Sequence, residues 1–454
     1  MSKYLQPRKY VQFSKRVIPA VLRRIPVIRK HYRLRRRIDC VTAACNLLHE
    51  NCGEIGSYAF NKTIKRRLSW HGINFRKLPA HHKQDLYALF ADKPLQPDLY
   101  DELKQQMLQV PLELLPCRQW LNLHEMCCFR GRYTLAQIFR EKARQLAIKP
   151  LDGKEFEPPI SWENTIGAVI EGGECHRPEQ LAQLLKRAGI TGDVASKWQL
   201  YLAVLNGQDI SREWVKQFDA SDFSGYLSGK SIAIVGPAPT EALDAEEIDS
   251  HDLVVRLNHS YEGKGTDPKH KGMRTDVTCF NGQSTKNFMV EREGLLPSEV
   301  SWGCFKSPHL ISNIKDKNKD KNARAHITFY QPQFHGGYNM VPIVAIDFAL
   351  FTAKSLKVYH TDLMLTITRQ KGYYPESSNR PSDEVTSMQK IFRRGSITHD
   401  PIQQYRTLNS LWRNEKITGD ARFVEVMKMG LDAYLFELER VYASPHVQLR
   451  PSNA

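Results

Sequence analysis

The sequence has no run of about 18 consecutive apolar residues, which excludes an ordinary membrane-spanning helix. It has no continuous apolar stretch near its start followed by a small-residue cleavage site, so no secretory leader is expected. The nearest candidate, "PAVLRRIPVI" over residues 19–28, is split by two arginines. None of the nine cysteines forms a CxxC, and no Cys/His group has contiguous metal-ligand spacing. Free thiols in a reducing cytoplasm are therefore expected. No zinc-finger, homeodomain-like or aromatic-glycine RNA signature is present, so nucleic acid is not an expected partner. Acid is scarce at the start: residues 1–40 carry thirteen Lys/Arg and one acid, Asp39, a net +12 out of +16 for all 454 residues.

That basic segment, residues 1–38, reads as an arm. Val17, Ile18, Val21, Leu22, Ile25, Val27 and Ile28 interleave with Arg23, Arg24, Arg29 and Lys30. Basic and aliphatic residues together suit an anionic membrane surface, at about 1 kcal/mol per basic residue near the headgroups. A solvated tail is the alternative. Pro19 and Pro26 argue against one unbroken amphipathic helix.

Residues 39–220 read as a helical domain. "YDELKQQMLQV" and "FREKARQLAI" repeat apolar residues at three- and four-residue spacing. Trp120 to Ile148 reads as helix, Gly-Arg-Tyr turn, helix. Gly131, Tyr133, Ala136, Phe139 and Ala143 fall roughly where a tetratricopeptide-like hairpin places small and aromatic packing residues. Most helical hairpins need small residues at their crossings, so true repeats are one option. "EQLAQLLKRAGI" and "SKWQLYLAVLNGQ" suggest a second pair.

Residues 221–445 read as α/β. The β-branched run Ser231–Val235 leads into Gly236-Pro237 and then a helical stretch, the opening unit of a doubly wound, Rossmann-like fold. Further strands are expected at 252–257, 275–280, 326–330 and 355–359, with a helix over 340–353. Alternation of strands and helices implies a mostly parallel sheet flanked by helices, with ligands at the carboxyl edge. In "DLVVRLN", Leu253 to Val255 form a buried strand, and Arg256 and Asn258 share one face at its carboxyl end. Arg256 is either a nucleotide contact or an ion-pair partner of Asp249 or Asp276. Asp249, His251 and Asp252 precede the strand, where Asx-type turn bonds and helix capping are the ordinary role. "KDKNKDKNAR", residues 315–324, reads as a solvated loop.

These residues resemble the eukaryotic-type sialyltransferases, glycosyltransferase family 29, over about residues 225–415. The large sialyl motif is matched by Val235-Gly236, Ile248-Asp249, His251-Asp252, Val254, Arg256-Leu257-Asn258, and Gly272 with Arg274-Thr275, ending at Asn281. The small motif is matched by the stretch from Asn339 to Val358-Tyr359. The short aromatic-acid motif is matched by Tyr373, Tyr374 and Glu376, and the last motif by His399 and Asp400. The sequence departs at Pro237, at Asn339-Met340-Val341-Pro342 and at Gln404. The positions of the animal enzymes' inter-motif disulfide are Ile232 and Ala353, which fits a reducing compartment.

The resemblance implies a variant of the GT-A fold and an inverting glycosyltransferase that moves a sialic-acid-like or Kdo-like sugar from its CMP form to a glycan or glycolipid. His399 is then the expected base, and Asp400 is expected to orient either its imidazole or the acceptor. Gly236, Arg256, Asn258, Thr275, Asn281, Tyr373, Tyr374 and Glu376 are the expected nucleotide and donor contacts. His335, flanked by glycines before a helix, is a further phosphate contact. His399 read alone also fits a capping or surface role beside Asp400-Pro401. The leaving group is a monophosphate ester, so no metal or other cofactor is expected. A cytoplasmic enzyme peripheral to the inner membrane of a bacterium, building capsule or lipopolysaccharide, fits the basic arm. Another nucleotide-sugar transferase on a Rossmann-like domain, or a non-catalytic nucleotide- or partner-binding protein, are the alternatives.

Overall fold

In the computed structural model the described residues run from 26 to 443. They exclude 52–65, 150–161, 174–177, 220–221, 260–265, 307–323 apart from Ile314 and Asn318, 329–332, 337–339, 368–391 apart from Gln389, and positions 71, 76, 94–95, 352, 394 and 398. Seven parallel strands form one sheet: β1 (Ser231–Val235), β2 (Leu253–Leu257), β3 (Val277–Phe280), β4 (Trp302–Phe305), β5 (Arg324–Ile327), β6 (Ser355–Tyr359) and β7 (Thr418–Gly419). Their order is β5-β4-β3-β2-β1-β6-β7. The chain thus steps outward from β1 to β5, then returns to the other side of β1. Adjacent crossovers leave in opposite directions at β1 and β6, and that divergence is the topological switch point of an open parallel sheet.

The central strands β1 to β4 are buried almost throughout because both faces of the sheet are covered there. Their side chains alternate. Ile232, Ile234, Leu253, Val255 and Leu257 join the large core, whereas Ala233, Val235, Val254 and Tyr359 pack with Ile248 in a separate cluster. The helix between β5 and β6, Met340–Leu350, packs on β1, β3 and β6. It is apolar almost all round, as a helix sandwiched between layers must be. Its one charged residue, Asp347, is buried and accepts from His326 Nε2 of β5 at 3.0 Å. Helices Gly192–Leu205 and Pro401–Arg413 cover its outer side.

The segment before residue 220 is helical where described. Its central hairpin joins Cys117–Arg130 to Tyr133–Ile148 through Gly131, which adopts the left-handed conformation at φ 72°. Tyr133, Ala136, Phe139 and Ala143 are fully buried there. These helices share a single buried cluster with one face of the sheet.

Several expectations shift. The strand expected at 326–330 lies at 324–327. Strands β4 and β7 were not expected at all. The run at 315–324 is not simply solvated: Asn318 is buried, its Oδ1 accepts from Leu296 N at 2.9 Å, and its Nδ2 donates to Gly294 O and Ile314 O. Nor does an arm end at residue 38. One helix, Pro26–Glu50, runs through that boundary with proline at its first position, where no backbone donor is needed. Residues 1–25 lie outside the described residues.

A methyl group at Gly131 would stand 2.5 Å from Tyr442 O and would keep the left-handed backbone. Gly131→Ala is therefore expected to lower unfolding free energy by roughly 1–3 kcal/mol in urea titrations. An unchanged midpoint would mean that the end of the Tyr442 helix yields at no cost.

Candidate functional site

Label the helix Cys117–Arg130 α1, Tyr133–Ile148 α2, Trp162–Gly172 α3, Ala245–Ser250 α4, Met340–Leu350 α5, Pro401–Arg413 α6 and Ala421–Lys428 α7. Because α5 and α6 feed β6 and β7 at the amino edge of the sheet, their N-termini lie on the carboxyl side. The loops after β1, β2 and β6 emerge on that same side.

At the switch point the loops after β1 and β6 are in close register. Gly236 N donates to Tyr359 O at 2.8 Å, and Ala238 N to His360 O at 3.0 Å. A Cβ on Gly236 would collide with Thr361 Oγ1 and His360 O, so only glycine fits. Over this rim lies Lys271, 1% exposed, whose Nζ donates to Gly236 O at 3.1 Å and Ala238 O at 2.8 Å. His360 is also buried. Its Nε2 donates to His270 O at 3.0 Å, and its backbone N–H donates to Asp420 Oδ2 at 2.6 Å. Burial, then the Lys271 ammonium, pull the imidazole down to about 4, so it is neutral at pH 7.

The polar residues around β2 have architectural tasks. Asp252 Oδ2 accepts from Ser231 N and Oγ, tying β2 to β1. Asp249 accepts from Met273 N at 2.8 Å and Arg274 N at 3.1 Å. Arg274 in turn donates to the carbonyls of Asp249, His251 and Asp252 at the end of α4. This is the turn chemistry expected before the strand.

Arg256 corrects the nucleotide-contact expectation. Buried, it donates from Nε to Arg274 O and Thr275 Oγ1, and from Nη2 to Lys271 O and Gly272 O at 2.8 and 2.9 Å. These bonds place Thr275 in the same internal network. Asn258 takes the left-handed conformation at φ 56°, and its Oδ1 accepts from Asn281 N at 3.1 Å. Asn281 caps the following helix by accepting from Ser284 N at 2.8 Å. Asn258 and Asn281 thus shape the carboxyl edge from within. Tyr373, Tyr374 and Glu376 lie outside the described residues.

His335 and Asp400 come together with residues from the helical segment. Arg140 of α2 donates from Nε and Nη2 to Glu171 of α3 at 2.8 and 2.7 Å, and Nη2 also pairs with Asp400. All three are 1% exposed. The guanidinium lies 5.5 Å from the Phe334 ring, just before His335. Arg37 Nε donates to Glu125 Oε1 of α1 at 2.6 Å, and its Nη2 lies 2.8 Å from His335 Nδ1. His335 Nε2 is 3.3 Å from the same carboxylate. Burial, then Arg37, hold His335 well below its ordinary value, so it is a neutral ring enclosed by cations. A ring so enclosed is not presented to a phosphate, which corrects that expectation.

Asp400 is engaged at the head of α6. Its Oδ1 accepts from Ile402 N and Gln403 N, capping α6, while Oδ2 faces Arg140. Burial pushes its carboxyl up to about 6; Arg140 opposes the rise and Glu171 adds to it. Glu171 is held below its ordinary value: burial opposes ionisation, and Arg140 outweighs it. His399 is exposed at the head of α6, its N–H donating to Gly395 O at 2.8 Å.

Reasoning from sequence missed the rim residues Lys271, His360, Asp244 and Asp420. The run "KVYHTD" carried a usable signal, since a histidine directly after a buried strand must lie at the carboxyl edge. Asp244, His360 and Asp420 also form a group of potential metal ligands, gathered from distant loops rather than a contiguous spacing. Among the described residues no helix is long and apolar enough to cross a membrane. No protein-family model matches the chain, and no curated protein matches it.

Arg140→Met takes the ion-pair partner from buried Asp400 and leaves Glu171 with Arg406. It should cost about 3–5 kcal/mol of unfolding free energy. Asp400→Asn keeps a capping acceptor and removes one of two like charges, so it should cost less than Asp400→Ala, which loses the cap at about 1 kcal/mol. Chemical denaturation of the three variants checks the order. Equal losses for Asn and Ala would remove the capping assignment.

Proposed function

We propose that the protein is an inverting glycosyltransferase that moves a sialic-acid-like or Kdo-like 2-keto-3-deoxy sugar acid from its CMP form to a glycan or glycolipid. The reading takes residues 221–445 as a Rossmann-like, GT-A-variant domain and the helices before it as a separate layer. The observation that carries it is the convergence on one sheet edge of the segments that resemble sialyl motifs. Gly236 ends β1, Asn258 follows β2, Tyr359 ends β6, and His399 precedes α6.

The chemistry then divides among this chain's residues. The close approach at Gly236 lets a nucleotide lie against backbone beside β1. Lys271 fixes positive charge beside that rim, favouring the phosphate of a CMP leaving group. A monophosphate leaving group asks for no metal. His399, exposed at the head of α6, takes the proton of the acceptor hydroxyl. The engagement of Arg256 and Asp400 within the protein supports an architectural role for both, not direct donor contact. The basic segment before Pro26 holds the protein to an anionic membrane surface on the cytoplasmic face of a bacterial inner membrane.

CMP at a hundredfold over its dissociation constant should raise stability by about 2.7 kcal/mol, read as a thermal shift. UDP and GDP should shift it less. His399→Ala should lower turnover about 10²-fold or more while CMP binding persists. Stabilisation by UDP or GDP alone would point to a different nucleotide-sugar transferase, and unchanged turnover would remove His399 as the base. The full chain should float with anionic vesicles and a chain lacking residues 1–25 should not; equal flotation would remove the membrane role.

A further inference from the structure

Three neighbouring strands each release one potential ligand at the same edge. Asp244 lies in the loop after β1, His360 directly follows β6, and Asp420 directly follows β7. One ligand atom from each lies within 4.8 Å of the others. We propose that Asp244, His360 and Asp420 bind a divalent cation that clamps the carboxyl ends of β1, β6 and β7.

Two observations go beyond proximity. First, His360 is oriented as a ligand. Its Nε2–H is engaged by the His270 carbonyl at 3.0 Å, which leaves the Nδ1 lone pair 3.6 Å from Asp420 Oδ2. Metal-bound histidines are fixed in this way by a carbonyl on the other nitrogen. Second, Asp244 Oδ2 is a buried atom with no hydrogen-bond partner among the described residues, and it lies 3.7 Å from His360 Nε2, on the other side of the ring from Asp420. A buried carboxylate oxygen lacking a partner is costly unless something positive meets it.

The spacing suits an ion. Two bonds of about 2.1 Å at a tetrahedral angle set ligands about 3.4 Å apart. The Nδ1–Asp420 pair is already near that separation, and binding requires Asp244 to turn from the Nε2 side of the ring toward Nδ1, within the 4.8 Å that separates the group. One imidazole and two carboxylates with no thiol favour Mn²⁺ or Zn²⁺ over softer ions. The site stands independently of the proposed sugar transfer, and no step of that reaction passes through it.

Calorimetric titration of the full chain with Mn²⁺ tests the site, because the chain's free thiols compete far less for Mn²⁺ than for Zn²⁺. Wild type should bind one ion per chain, saturably, with a rise in thermal midpoint. Asp244→Asn should weaken binding at least tenfold. This variant keeps the fold, because the oxygen it changes makes no hydrogen bond. Asp420→Asn keeps the cap on Phe423 N and should weaken binding to a similar degree. Absence of saturable binding to the wild type would overturn the proposal. Equal binding by all three proteins would overturn it as well.

Discussion

The position of the carboxyl edge depends on one buried guanidinium. Arg140 reaches from α2 to Glu171 of α3 and to Asp400 at the head of α6. Two carboxylates and one guanidinium carry a net negative charge, and Arg406 adds a further donor to Glu171 at 2.9 Å. Desolvating these ions is expensive, so they are tolerable only where the forked geometry is kept. The trio therefore dictates how the helical layer seats against the sheet. Since α6 runs directly into β7, it also fixes the strand that presents Asp420.

The residues that resemble sialyl motifs divide into two kinds. Asp249, Arg256, Gly272, Arg274 and Thr275 form a network that holds the 267–276 loop against α4 and β2. Asn258 and Asn281 set the turn into the helix after β3. At the strand ends, by contrast, Gly236 allows a close backbone approach and Lys271 places a buried charge against the rim. A short motif can thus carry its pattern through architecture as much as through chemistry.

The α/β half was legible because its strands are buried on both faces. Ser231–Val235 and Leu253–Leu257 are mostly apolar runs bounded by glycine or acid, Ser355–Tyr359 alternates apolar with polar residues, and all three lie close to where expected. β4 was hidden because Gly303 and Cys304 interrupt any β-branched signal, and β7 because two residues have no periodicity. The turn roles of Asp249 and Asp252 were legible from position alone. The engagement of Asp400 was not, because its partner Arg140 lies far away in the chain on a helix whose exposed and buried arginines look alike in sequence. Arg37 illustrates the same limit. Its charge suggested an arm, whereas its side chain closes on Glu125 and His335 inside the fold.

The sheet's two borders differ in a way that bears on self-association. β7 pairs with β6 over only two residues, so that border offers almost no free ladder to another chain. β5 is a four-residue border strand whose Ile327 is 41% exposed. Arg324 at its start places a charge over Trp302. A cation on an open border is a common deterrent to strand addition. Among the described residues, the β5 border thus combines an exposed isoleucine with a charge at its start, a pairing that disfavours strand addition from another molecule.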